Sequence, residues 1–220
     1  MRSISVIITA GGTGQRMNAS LPKQFLLIHE KPMLMRTLEQ FYQFNPKMQL
    51  IVTLPEEWRH HWEELQLEYD FSVPHRVVEG GIERYHSIRN ALVYCHGDIV
   101  AVHDGVRPLV SHETLKRCLD AMGRSDAVIP VMPFTESIRK KEGDRTVSVP
   151  RADFLTVQTP QCFRLSVLKA AYERPYHAGI TDDAGLVEEA GFRIDTVEGN
   201  AENIKITSRM DLKYAELFLS

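Results

Sequence analysis

The feature that most restricts the fold is an alternation of two patterns. Ser5-Val6-Ile7-Ile8-Thr9, Gln49 to Leu54, Ile99 to Val102 and Ala127 to Val131 are short apolar runs rich in β-branched residues. None shows the polar-out alternation of a half-solvated strand, so each predicts a strand buried on both faces. Between them lie stretches with helical spacing. Pro32 opens one with Leu34, Leu38 and Phe41 on a single face, and Pro55 opens another with Trp58, Trp62, Leu65 and Tyr69. After a short strand from His75 to Val78, Tyr85, Ile88, Leu92 and Cys95 mark a third helix. Ser111 is placed to cap a fourth, carrying Leu115, Leu119 and Met122. Strand, helix, strand in this order predicts an α/β fold with a mostly parallel sheet covered on both faces.

The alternation breaks once. Pro133 to Pro150 is polar and charged, with Ser137-Ile138-Arg139-Lys140 and Thr146-Val147-Ser148-Val149 flanking Glu142-Gly143-Asp144. That predicts a β-hairpin arm standing off the main body. It has little core of its own and is expected to lean on a second copy of the chain. Beyond it, helices are expected from Leu165 to Tyr172 and from Asp182 to Ala190, the latter stopped by Gly191. Strands are expected from Phe192 to Val197 and from Asn203 to Thr207, then a last helix capped by Ser208. Residues 1–220 read as one domain, with 133–150 as its arm.

Composition narrows the function classes. With 43% hydrophobic and 25% charged residues the chain can build a core and is not a disordered segment. A net charge of −3 gives no global field for nucleic acid. Cys95, Cys118 and Cys162 are far apart and form no CxxC pair, so neither a zinc knuckle nor a disulfide framework is expected. The first apolar run is too short for a signal core or a spanning helix, so no membrane partner and a cytoplasmic location are expected. His60-His61 and Glu63-Glu64 read as the wet face of a helix whose tryptophans point inward, rather than as a metal cluster.

The chemistry-bearing segments fall where strands end. The first strand runs into Ala10-Gly11-Gly12-Thr13-Gly14-Gln15-Arg16-Met17. A glycine turn lets backbone N–H groups approach phosphate oxygens. The loop is not a P-loop, because GxxxxGK[ST] is absent. Nor is it the dinucleotide fingerprint, because Met17 stands at the third glycine and the region where an acid is wanted holds Lys31, Pro32 and Met33. Arg16 and Pro22-Lys23-Gln24 follow closely, and two cations beside a glycine loop suit a triphosphate. Gly80-Gly81, followed by Ser87, reads either as a plain strand-to-helix turn or as a base-recognising loop. Asp104 could hold a metal, a ribose hydroxyl or a substrate hydroxyl. His103 reads as a packed histidine and Arg107 as a structural partner of a nearby acid. Thr181-Asp182-Asp183 opens a helix, its acids serving as a cap or in a direct role. Lys205, inside an apolar run, reads as an edge residue or as a phosphate ligand.

Together, AGGTGQRM, PKQF, EGGIERYHSI, VHDGVRPL, QTPQCF, TDDAGLVE and NIKIT, in that order, resemble the cytidylyltransferase family that makes 4-diphosphocytidyl-2-C-methyl-D-erythritol. The resemblance covers nearly the whole chain. It implies a Rossmann-like nucleotidyltransferase sheet, CTP with Mg²⁺ as donor, and a homodimer whose hairpin arms cross. By resemblance, Arg16 and Lys23 stabilise the transition state at the α-phosphate. Arg151, supplied by the partner, and Lys205 position the acceptor. Asp104, Thr159 and Thr181 surround the acceptor, and Ala10, Gly11, Gly12, Gly81 and Ser87 surround CTP. Gly105-Val106 stands where the family usually has two alanines, and Gly185 where it usually has serine. Similar variants occur in ribitol-5-phosphate cytidylyltransferases, which makes ribitol 5-phosphate the alternative acceptor. A non-catalytic nucleotide-binding protein of the same fold is the remaining reading. No general base is needed, because a phosphate monoester with a second pKa of about 6 is largely dianionic at neutrality.

Overall fold

A computed structural model describes residues 3–12 and 21–218. The chain begins with β1 (Ile4–Thr9). The two-residue strands β2 (Leu27–Ile28) and β3 (Lys31–Pro32) then pair with each other and lead into α1 (Met33–Phe44). Next come β4 (Gln49–Leu54), α2 (Arg59–Glu68), β5 (Arg76–Glu79), α3 (Arg84–Leu92) and β6 (Ile99–Asp104). They are followed by α4 (His112–Ala121) and β7 (Ala127–Pro133). The hairpin is β8 (Ile138–Glu142) with β9 (Arg145–Val149). After it come β10 (Leu155–Val157), β11 (Gln161–Arg164), α5 (Leu165–Tyr172), α6 (Asp183–Glu189), β12 (Asp195–Glu198) and α7 (Arg209–Phe218).

The main sheet has the order β10-β7-β11-β6-β1-β4-β5, with β12 also paired to β7. β1 pairs in parallel with β4 on one side and β6 on the other, and β4 pairs in parallel with β5. β10 and β11 run antiparallel to their neighbours. The chain builds outward from β1 through β4 to β5, then returns to lay β6 on the opposite side of β1. That reversal is a topological switch point, where the loops at the carboxyl ends of adjacent strands part and leave a crevice.

The continuous apolar strands have the predicted cause. Val6 and Ile8 face a cluster with Leu34, Leu38 and Phe41 of α1, Trp62 of α2 and Leu115 of α4. Ile7, Ile51, Val100 and Val102 face the other layer, with Ile88 of α3, Leu168 of α5 and Val187 of α6. Burying each such side chain stabilises the fold by about 1.5–3 kcal/mol. The caps fit as well. Ser111 Oγ accepts from the Thr114 amide at 3.1 Å. Ser208 Oγ accepts from the Asp211 amide at 3.2 Å, while Asp211 Oδ2 accepts from the Ser208 amide at 2.8 Å, a reciprocal box.

Two expectations need correction. The Phe192–Val197 strand starts later, at Asp195. Residues 203–207 are not a strand. Their main chain finds other partners: the Ile206 amide donates to the Val106 carbonyl at 3.0 Å, and the Asn203 carbonyl accepts from Arg107 at 2.7 Å. Ile206 is buried with Ile28, Met33, Val106 and Leu109 in a third small cluster under α7.

The hairpin forms a two-stranded sheet of its own, separate from the main one. Gly143 has φ +62°, as the first position of a two-residue hairpin loop requires.

Candidate active site

β1, β4, β5 and β6 are parallel, so Thr9, Leu54, Glu79 and Asp104 end at one edge. The loops leaving that edge are tied together. The Ala10 amide donates to the Thr53 carbonyl, the Gly80 amide to Leu54 and the Gly105 amide to Thr9, all at 2.9–3.0 Å. Gln24 Nε2 donates to the Ala10 carbonyl at 2.6 Å, clasping the lysine segment to the glycine loop. A Cβ at Gly12 would lie 3.2 Å from Lys23 Cε, so the bare glycine lets the lysine stem pass close over the loop. A Cβ at Gly81 would sit 2.3 Å from His86 Cβ, and only glycine fits there. The Gly81 amide donates to Ser87 Oγ at 2.9 Å.

These loops enclose a cleft of about 370 Å³ lined by Ala10, Gly11, Gly12, Lys23, Gly81, Ser87, Asp104 and Lys205 among others. An adjoining hollow of about 280 Å³ includes Thr159, Thr181, Gln161 and Asp182. Arg84, Asp104 and Lys205 line both.

The shared wall is an ion network. Asp104 Oδ2 lies 3.1 Å from Arg107 Nε and 3.1 Å from Lys205 Nζ, and Oδ1 lies 3.8 Å from Arg84 Nε. Burial opposes the Asp104 charge, but Arg84, Lys205 and Arg107 outweigh it and hold this carboxyl well below the usual carboxylate range. Arg84 also donates through Nη2 to Asp183 Oδ2 at 2.7 Å. Burial disfavours its charge too, yet Asp183 and Asp104 raise its pKa above that of an ordinary arginine. Behind this wall His103 is fully buried. Its Nε2 bonds the Arg107 carbonyl at 3.0 Å, and its Nδ1 lies 3.0 Å from Thr159 Oγ1, which accepts from the Asp104 amide. Burial pushes the imidazole down to about 4, so it is neutral near pH 7 and braces Asp104 and Thr159.

Of the sequence-predicted site residues, Ala10, Gly11, Gly12, Lys23, Gly81, Ser87, Asp104, Lys205, Thr159 and Thr181 converge on these two hollows. Arg16 lies outside the described residues. Arg151 is exposed at the base of the hairpin, where its guanidinium donates to the Thr135 carbonyl, and it lines neither hollow of its own chain. Arg84, Gln24 and Gln161 were not singled out as site residues, and Asp183 was left between a helix-cap and a direct role. One signal marked Arg84: an arginine in the first turn of a helix opposes the helix dipole, so it needs another reason to be there.

A glycine-lined cleft thus opens past three charged residues onto a polar hollow, an arrangement that could seat two ligands side by side. The 2-C-methyl-D-erythritol 4-phosphate cytidylyltransferase family model matches residues 4–220. The chain belongs to that family. It is therefore a nucleotidyltransferase. A Bacteroides fragilis enzyme of that name is 48% identical over 98% of this chain and 99% of its own. A Bacillus cereus one is 38% identical over 98% and 97%. Among solved structures, the Thermus thermophilus 2-C-methyl-D-erythritol 4-phosphate cytidylyltransferase is 32% identical, with a TM-score of 0.79 over 98% of each chain. A 4-diphosphocytidyl-2C-methyl-D-erythritol synthase from Anaerococcus prevotii has a TM-score of 0.83 at 26% identity, covering 99% of this chain and 98% of its own. The alternative acceptor, ribitol 5-phosphate, is not favoured by these relatives. Among the described residues, no helix is long and apolar enough to cross a membrane.

Proposed function

We propose that CTP occupies the glycine-lined cleft and 2-C-methyl-D-erythritol 4-phosphate the adjoining hollow, and that the enzyme joins them to 4-diphosphocytidyl-2-C-methyl-D-erythritol and pyrophosphate. The observation that carries this reading is the wall of Arg84, Asp104 and Lys205 common to both hollows. An acceptor phosphate oxygen forms a bond to the α-phosphorus of CTP. The bond from that phosphorus to the bridging oxygen breaks, and pyrophosphate leaves with the electron pair. No proton need be removed from a dianionic acceptor. The barrier is the mutual repulsion of two anions, and it falls through charge neutralisation and in-line placement.

In this reading Arg16 and Lys23 neutralise charge at the α-phosphate, and Lys205 draws the acceptor phosphate to the shared wall. Asp104, Thr159 and Thr181 bond acceptor hydroxyls. Ala10, Gly11, Gly12, Gly81 and Ser87 surround the nucleotide. Arg151 completes the acceptor site from the partner of a cytoplasmic homodimer, carried there by the hairpin arm at 133–150 of an otherwise single domain. The exposed position of Arg151, away from its own chain's hollows, supports that assignment.

Mg²⁺ is proposed as the companion of CTP. The donor set does not fit a protein-built cage: among the described residues no group of three His, Cys, Asp or Glu side chains could hold an ion, and Asp104 already faces three cations. The ion would travel on phosphate oxygens and water.

Pyrophosphate release tests the assignment. It is expected with CTP and 2-C-methyl-D-erythritol 4-phosphate together and not with either alone. Turnover that prefers ribitol 5-phosphate would overturn the choice of acceptor.

A further inference from the structure

We propose, resting on the reading above, that Arg84 is a positioning residue that references the acceptor groups to the nucleotide loop. Its main chain belongs to the nucleotide side, because α3 begins at Arg84 only three residues after Gly81. Its side chain belongs to the acceptor side. Nη2 donates to Asp183 Oδ2 at 2.7 Å, and Nε lies 3.8 Å from Asp104 Oδ1. Asp183 is fully buried, and its other oxygen accepts from the Tyr172 hydroxyl at 2.6 Å. It sits one residue past Asp182, the N-cap of α6, whose carboxylate accepts from the Gly185 amide at 2.9 Å and from Gln161 Nε2 at 2.7 Å. Thr181 stands directly before that cap. One 2.7 Å contact, Arg84 to Asp183, thus joins the main-chain segment that follows Gly81 to the segment that carries Thr181. Lysine cannot reproduce it, since a single ammonium lacks the planar fork that engages two carboxylates. Arg84 lines both hollows, and its positioning effect runs through Asp104 and Asp183.

The test compares wild type, Arg84→Lys and Tyr172→Phe, with folding checked by thermal unfolding. Wild-type turnover with CTP and 2-C-methyl-D-erythritol 4-phosphate tests the reaction itself, independently of the variants. In Arg84→Lys, CTP affinity measured by calorimetry with CTP alone should stay within about three-fold of wild type. The acceptor KM should rise roughly 10-fold and kcat should fall roughly 10–100-fold, as for a misplaced substrate. Tyr172→Phe leaves the Arg84–Asp183 pair but frees one Asp183 oxygen, and should raise the acceptor KM by roughly three-fold. A merely structural role would lower the melting temperature or the active fraction and leave both KM values unmoved. That result, or a rise confined to the CTP constant, overturns the proposal. Should Arg84→Lys not fold, an unchanged acceptor KM in Tyr172→Phe overturns it alone.

Discussion

Lys205 Nζ lies 3.1 Å from Asp104 Oδ2, although the two residues come from different parts of the chain. Asp104 ends a central strand, while Lys205 lies in a segment without ladder partners, pinned by the Ile206 amide on the Val106 carbonyl. The pair sets the ammonium at the junction of the two hollows. In the proposed function, an anionic acceptor entering the hollow would meet a cation whose position a buried carboxylate already defines, leaving little ordering for the moment of reaction.

Lys23→Ala should lower kcat by about 10²–10³-fold while the fold survives, by the scale of losing one aimed donor at a developing charge. The residue lies in the 3-10 turn before Leu26, and Phe25 anchors that turn in the core. Steady-state pyrophosphate release with a thermal melt checks this. Wild-type turnover in a folded variant would remove Lys23 from the reaction.

How far such residues could be read in advance depends on the range of their contacts. β1, β4 and β6 were visible because two-sided burial leaves its mark in consecutive residues, and Ser111 and Ser208 because caps act within one turn. Residues 203–207 misled because Ile204 and Ile206 alternate with polar neighbours as a strand would, while only the tertiary structure shows that no ladder is offered there. Arg84 and Asp183 are 99 residues apart, and no local period reports such a pair. The glycine loops and Lys23 were legible, since phosphate binding needs those residue types close together in the chain.

Stability should fall on acidification across the window that His103 defines. Its unfolded pKa is about 6.5, while burial lowers the folded value to about 4. The unfolded chain therefore binds more protons between these limits, and stability rises with pH through the window and levels off above it. Descending from pH 6.5 to 4 should cost up to about 3 kcal/mol from this group. Asp104, held well below the usual carboxylate range, loses its contribution only at lower pH still. Urea unfolding of wild type and His103→Gln at pH 7.5 and 5 checks the sign. An equal loss in both proteins would contradict the assignment to His103.

Arg151→Ala and Lys23→Ala should complement each other when mixed and allowed to exchange subunits. If Arg151 serves the partner's site, one site of each mixed dimer is intact, and roughly a quarter of wild-type activity should return by statistical pairing. Two folded, impaired parents that stay impaired on verified mixing would place Arg151 in its own chain's site, and an Arg151→Ala parent with wild-type kinetics would place it outside the reaction.

In the proposed function, the charged wall of Arg84, Asp104 and Lys205 that the two hollows share brings an anionic acceptor to the nucleotide. The most direct test is the pair of KM values in Lys205→Ala, a residue exposed enough to be replaced without disturbing the core. The account predicts an acceptor KM raised roughly 10-fold or more with the CTP KM near wild type, as for loss of a charge-assisted contact. A CTP KM that rises while the acceptor KM stays unchanged would contradict it.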